Sequence, residues 1–147
     1  MIVNSIFKRA TTLWLLFFIS AGFVKAQKTD KVYKIVYQMP EYTGGVDSLS
    51  LFLRENVKYP YEDRLNKNEG VVYISFVIEK DGSLSNIEID EKASKNATLA
   101  MKTEAVRVIN SMPNWQPGRF DDETPARVSY ELPIGFYMGE PKRKKRR

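Results

Sequence analysis

An α+β sandwich is the predicted fold class: a small antiparallel sheet of about three strands with two helices packed on one face, in the order α-β-β-α-β. Three stretches predict it. From Val71 to Glu79, the residues Val72, Ile74, Phe76 and Ile78 alternate with Val71, Tyr73, Ser75 and Val77. Both faces are therefore largely apolar, as expected of a central strand. From Ala126 to Phe136, Ala126, Val128, Tyr130, Leu132, Ile134 and Phe136 share one face, while Arg127, Ser129, Glu131, Pro133 and Gly135 share the other. That is the period of a half-buried strand. Between the two, Met101, Ala105, Val108, Ile109 and Met112 recur at helical spacing and form a stripe that faces the sheet.

In chain order, residues 31–39 carry Val32, Tyr33, Ile35, Val36 and Tyr37, a short strand or extended arm, and Pro40 to Gly45 forms a turn. Asp47 or Ser48 is expected to cap a helix whose apolar positions are Leu49, Phe52, Leu53 and Val57. Tyr59-Pro60 ends it, because the residue before proline is pushed out of the helical region. Glu79-Lys80-Asp81-Gly82-Ser83 is a hairpin turn with Gly82 suited to positive φ, and the return strand runs from Leu84 to Asp90 with Ile87 and Ile89 inward. The second helix spans about Ala97 to Ser111 and is stopped by Pro113. Trp115, between Pro113 and Pro117, is expected to pack over the end of that helix. Pro133 has no N–H, so the closing strand is expected to lie at a sheet edge.

The domain plan is an N-terminal segment 1–26, an arm and turn over 27–45, a folded domain over 46–138 and a basic tail over 139–147. Lys8-Arg9 followed by the apolar run Ala10 to Val24 reads as a secretory signal cleaved after Ala26. A short membrane anchor is the alternative, although 15 apolar residues would make a helix of only ~22 Å. The formal charge of +5 is uneven. Residues 27–141 hold 14 basic against 18 acidic residues, a net of −4, and the last six residues are all Lys or Arg. A mildly acidic body argues against nucleic acid as a partner. The tail can touch anionic lipid or act only as a solubilising end.

The sequence contains no Cys and no His, which removes disulfides, thiolate nucleophiles and the commonest general base and metal ligand. No Ser or Lys stands in a nucleophile motif, so no catalytic residue is assigned and no enzyme is expected. Asp121-Asp122-Glu123 lacks further oxygen ligands at regular spacing and is expected to be a solvated loop, so neither metal nor cofactor is assigned.

With these residues in place, the chain from about Met39 to Phe136 resembles the C-terminal domain of TonB-family proteins. The matching pieces are Met39-Pro40-Glu41-Tyr42-Thr43-Gly44-Gly45, Tyr59-Pro60, Gly70 to Ile78, Lys80-Asp81-Gly82, Glu104 to Val108, Met112 to Gly118 and Leu132-Pro133-Ile134. Their order and spacing carry the match. The resemblance implies a periplasmic protein-binding domain of a Gram-negative envelope, acting in energy-dependent transport across the outer membrane. Its expected partner is a TonB-dependent outer-membrane receptor, whose TonB box would add as a strand beside the domain's last strand. By position, Arg127, Val128, Ser129, Tyr130 and Glu131 would contact that strand. Asn56, Val57 and Lys58 fall where the family carries a Gln-Pro-containing contact region, and this chain lacks the Gln-Pro pair. Inner-membrane motor proteins are further partners if the N-terminus is uncleaved. Residues 27–40 would span at most about 50 Å, a short spacer. The alternative is a freestanding periplasmic domain that forms a homodimer or joins another envelope complex without energy transduction.

Overall fold

A strand that is apolar on both faces has to be enclosed, and the sheet is assembled around such a strand. The computed structural model describes residues 31–139. Its elements are β1 (Val32–Tyr33), α1 (Gly45–Asn56), α2 (Tyr61–Leu65), β2 (Gly70–Ile78), β3 (Leu84–Ile89), α3 (Leu99–Asn110), β4 (Gly118–Arg119) and β5 (Pro125–Phe136). The sheet order is β1-β5-β2-β3, with β4 also paired to β5. As the two-sided pattern requires, β2 lies between β5 and β3, antiparallel to both.

The fold class holds, and several details differ from expectation. The closing strand β5 is not a sheet edge along its whole length, because β1 and β4 pair with its first residues. The sheet has five strands rather than three, and it is mixed, because β1 runs parallel to β5. There are three helices rather than two. Gly44 precedes α1 in the left-handed region (φ 89°), so the helix begins at Gly45 and Asp47 sits within its first turn. A side chain at Gly44 would place its Cβ 2.5 Å from Ser48 Oγ, which leaves glycine as the residue that fits.

Val72, Ile74, Phe76 and Ile78 of β2 meet Leu132, Ile134 and Phe136 of β5, with Leu49 of α1 and Met101, Ala105 and Ile109 of α3 closing the core. Each fully buried side chain of this size stabilises the fold by roughly 1.5–3 kcal/mol relative to exposure. The stripe read for the second helix is the face it buries, and Thr98 caps that helix by accepting from Met101 N at 3.2 Å. The same hydroxyl donates to Asp63 Oδ2 at 2.7 Å, and Asn68 Nδ2 donates to Asp63 Oδ1 at 2.9 Å. Asp63 is thus a buried carboxylate that fastens α2 to the start of α3.

Trp115 is buried, as expected, and its setting is wider than the end of α3. Its ring meets Tyr42, Phe76 and Tyr130 edge-on, at centroid distances of 5.4, 5.7 and 5.0 Å. Its backbone N donates to Gly82 O at 2.8 Å, joining the Trp-bearing turn to the β2–β3 hairpin. Gly82 has φ 83°, and a Cβ there would lie 2.0 Å from Trp115 O. Both positive φ and close backbone approach therefore demand glycine. The expected N-terminal signal or anchor, residues 1–26, and the basic tail beyond Gly139 lie outside the described residues.

Candidate docking edge

The face alternation of β5 is as read from the sequence: Ala126, Val128, Leu132, Ile134 and Phe136 are buried, while Glu131, Pro133 and Gly135 are exposed. What the strand offers at its edge depends on which backbone groups β2 consumes. Tyr73 is opposite Pro133. Its C=O accepts from Asp90 N at 3.0 Å, and its N–H donates to Ser94 Oγ at 2.9 Å. Both Tyr73 backbone groups point away from β5, so Tyr73–Pro133 is a non-hydrogen-bonded pair. That is the only kind of position a proline can hold beside a neighbour without losing a ladder bond. In an antiparallel ladder such pairs recur every second residue, which extends the assignment to Val71–Gly135, Ser75–Glu131 and Val77–Ser129. The N–H and C=O groups of Ser129, Glu131 and Gly135, and the Pro133 C=O, therefore face the flank opposite β2.

That flank is partly occupied. Val32 and Tyr33 of β1 are in register with Arg127 and Val128. Among the described residues, no strand pairs with β5 on that side beyond Val128. Of the five predicted contacts, Arg127 and Val128 already have a neighbour, and the Ser129 N–H is taken too, because the parallel Tyr33–Val128 register, with Val128 turned to β2, aims it at Tyr33 C=O. Tyr130 turns its backbone groups to β2, so open backbone begins at the Ser129 C=O and continues through Glu131. Arg127 is committed through its side chain as well. Its Nε and Nη2 donate to Glu79 Oε2 and Oε1 at 2.6 and 2.7 Å, and Ser85 donates to the same carboxylate. The guanidinium holds the Glu79 carboxyl below its ordinary pKa, against the opposing effect of burial.

Asn56, Val57 and Lys58 close α1 and are pinned to α3. Arg107 Nη2 donates to Asn56 O at 2.7 Å, and Lys58 N donates to Glu104 Oε1 at 2.7 Å. The hydrogen-bonded Arg107 side chain keeps the Glu104 carboxyl below its ordinary pKa. Only Val57 of the three reaches the β5 edge. With Leu53, Tyr59, Pro133, Phe136 and Tyr137 it lines a groove of about 380 Å³ between the end of α1 and the last residues of β5. The Tyr59 ring stands edge-on to Phe136 at 5.8 Å, and its hydroxyl donates to Asn68 O. Burial, then Glu69 and Asp63, raise its pKa, so the donor stays protonated.

The two predicted patches therefore do not form one continuous surface: Val57 faces positions 133–137, not 127–131. The groove draws on positions 133–137, which lie outside the predicted contacts, although the alternation through Phe136 and the ring at Pro133 mark the same stretch. At the opposite edge of the sheet, β3 is six residues long and irregular, with Asn86 at φ 48° where the β2 register shifts. A bulge of that kind blunts a strand edge against pairing. Asp121–Glu123 is an exposed turn in which Asp122 Oδ1 accepts from Thr124 N at 3.0 Å, and no metal-holding cluster occurs among the described residues. No described helix is long and apolar enough to cross a membrane.

The family model for the C-terminal region of the Gram-negative bacterial TonB protein matches residues 55–138, more than half of the chain. No curated protein matches. Among solved structures, the chain is similar to the NMR solution structure of the Helicobacter pylori TonB C-terminal domain, residues 194–285. The identity is 23% and the TM-score 0.49, with 65% of this chain and 95% of that one covered. A second solution structure of that domain, residues 179–285, is matched at 20% identity and TM-score 0.45, with 68% and 91% covered. From its match over residues 55–138, the chain belongs to the family of TonB C-terminal domains.

Proposed function

We propose that this domain captures an extended segment of an outer-membrane receptor, the TonB box, as an added strand on β5 from Ser129 to Phe136. The family is one of transport and protein-interaction domains rather than enzymes, which supports work in envelope transport from a periplasmic position. The observation that carries the finer reading is the row of outward backbone groups made by the Ser129 C=O, both groups of Glu131 and Gly135, and the Pro133 C=O, which have no strand neighbour among the described residues. Main-chain pairing gives affinity with little demand on guest sequence, and side-chain pockets beside the strand give choice. The groove at Val57, Tyr59 and Tyr137 lies where a guest side chain would enter from that flank.

Isothermal calorimetry of the chain with the N-terminal segment of a TonB-dependent receptor's plug domain tests the proposal. Saturable one-to-one binding supports it. A flat titration favours the freestanding alternative, in which the edge pairs with a second copy or with another envelope component.

A further inference from the structure

The arm ahead of α1 is more than a lead-in to the domain. Val32 and Tyr33 lie beside Arg127 and Val128 in parallel register, so Lys34 is the next arm residue in line to stand opposite Ser129. The arm leaves the sheet there, bending at Lys34 and again at Tyr37. It is held on both sides of the bend. The Tyr33 ring packs edge-on against Phe120 at 5.0 Å. Beyond the bend, Gln38 and Arg119 exchange backbone bonds of 3.0 and 2.9 Å, as do Glu41 and Gln116 at 3.1 and 2.8 Å. Since β4 is itself paired with Pro125 and Ala126, the arm is bonded to the start of β5 directly and through β4. Pro40 is buried, and Val36 and Pro40 lie against Gly118, where an added Cβ would meet both within 3.1 Å. Ile35 and Tyr37, by contrast, are 83% and 80% exposed at the bend.

We infer that the arm 31–41 is a fixed register stop for the docking edge: a receptor segment pairing with β5 ends at Ser129, against the bend at Lys34–Tyr37, and the arm stays in place when the segment is bound. This rests on the strand-addition reading above. The stop explains why open edge begins at the Ser129 C=O, and it gives a guest that pairs promiscuously through its backbone one fixed end from which its side chains are counted toward the groove at Val57 and Tyr137. Without such an end, a strand held only by main-chain bonds can slip, and a slip of one residue exchanges its two faces.

Amide hydrogen exchange on the whole chain, read residue by residue by NMR with and without the receptor plug segment, tests the stop. In the free chain, the Arg127 and Ser129 amides, both paired with the arm, should exchange about tenfold more slowly than that of Glu131. On saturation, Glu131 and Gly135 should slow by about tenfold or more, with Tyr33, Gln38, Arg127 and Ser129 unchanged. In a Tyr33→Pro variant, which frees the arm from the edge, the segment should also protect Arg127. If Tyr33 loses protection as Glu131 gains it, the arm is displaced: strand addition stands and the stop is refuted. If Arg127 gains nothing in the folded Tyr33→Pro variant, the stop is likewise refuted. If the segment binds without slowing Glu131 or Gly135, the docking reading itself fails, and the stop with it.

Discussion

Replacing Glu131 with proline deletes one backbone N–H that β2 does not use. Glu131 stands opposite Ser75 in a non-hydrogen-bonded pair, so the β2–β5 ladder keeps every bond. Pro133, two residues on, already sits in the same register. The cost to folding should stay within about 1 kcal/mol, as for surface changes that break no named contact. Tyr130→Pro is the contrasting change. Tyr130 pairs with Phe76 at an alternate, hydrogen-bonded position, so its N–H belongs to the ladder and its loss leaves a buried acceptor unpaired. That costs about 1–3 kcal/mol, before the lost packing of the Tyr130 ring on Trp115. For capture, Glu131→Pro removes one net hydrogen bond of about 1 kcal/mol, a roughly fivefold loss of affinity for the receptor segment. Urea melts measure the first quantity and calorimetry the second. Glu131→Pro binding as well as the unmodified chain would refute pairing along this edge. Glu131→Pro unfolding as readily as Tyr130→Pro would refute the assignment of outward N–H groups.

Other perturbations probe the scaffold. Gly82→Ala should cost about 2–5 kcal/mol in a urea melt, because the residue is held at φ 83° and its Cβ would meet Trp115 O at 2.0 Å. Asp63→Ala should cost about 1–3 kcal/mol, since it leaves Thr98 Oγ1 and Asn68 Nδ2 without their acceptor. For Glu79, the folded pKa lies below the unfolded value, so ionisation favours the folded state. Its contribution is full above the unfolded carboxylate pKa of about 4.3 and is lost as the pH falls through the lower folded value. The stability advantage of the unmodified chain over Glu79→Gln, read from melts at several pH values, should therefore be constant near neutrality and shrink below about pH 4.

The long elements were legible because their periodicity reports burial directly. The two-sided run of β2 announced a strand with two neighbours, the alternation of β5 gave the correct inward face, and the Met101–Ile109 stripe gave the buried side of α3. The short ones left no such trace. Five residues after Pro60 are too few for a helical period to show, so α2 went unread. The two-residue strands β1 and β4 exist only through partners distant in sequence, Arg127 and Val128 for one, Pro125 and Ala126 for the other. For the same reason, the open edge could be located on β5 but not its limits. Nothing in the sequence around Arg127 says that the arm lies beside it, and nothing at Val57 says that it faces Pro133 rather than Glu131.

Because the sequence has no cysteine, a single thiol can be placed anywhere without background. Cross-linking therefore locates the docked segment on the sheet. The receptor segment, carrying one Cys at each position in turn, is oxidised with Glu131→Cys on β5 or with Glu88→Cys on β3, the two edges of the same sheet. A disulfide needs Cα atoms about 4.4–6.8 Å apart, a distance met by strand neighbours. The account predicts efficient bridging at Glu131→Cys, peaking at one segment position, and little at Glu88→Cys. Equal or stronger bridging at Glu88→Cys, or none at Glu131→Cys with a segment that calorimetry shows to be bound, would contradict it.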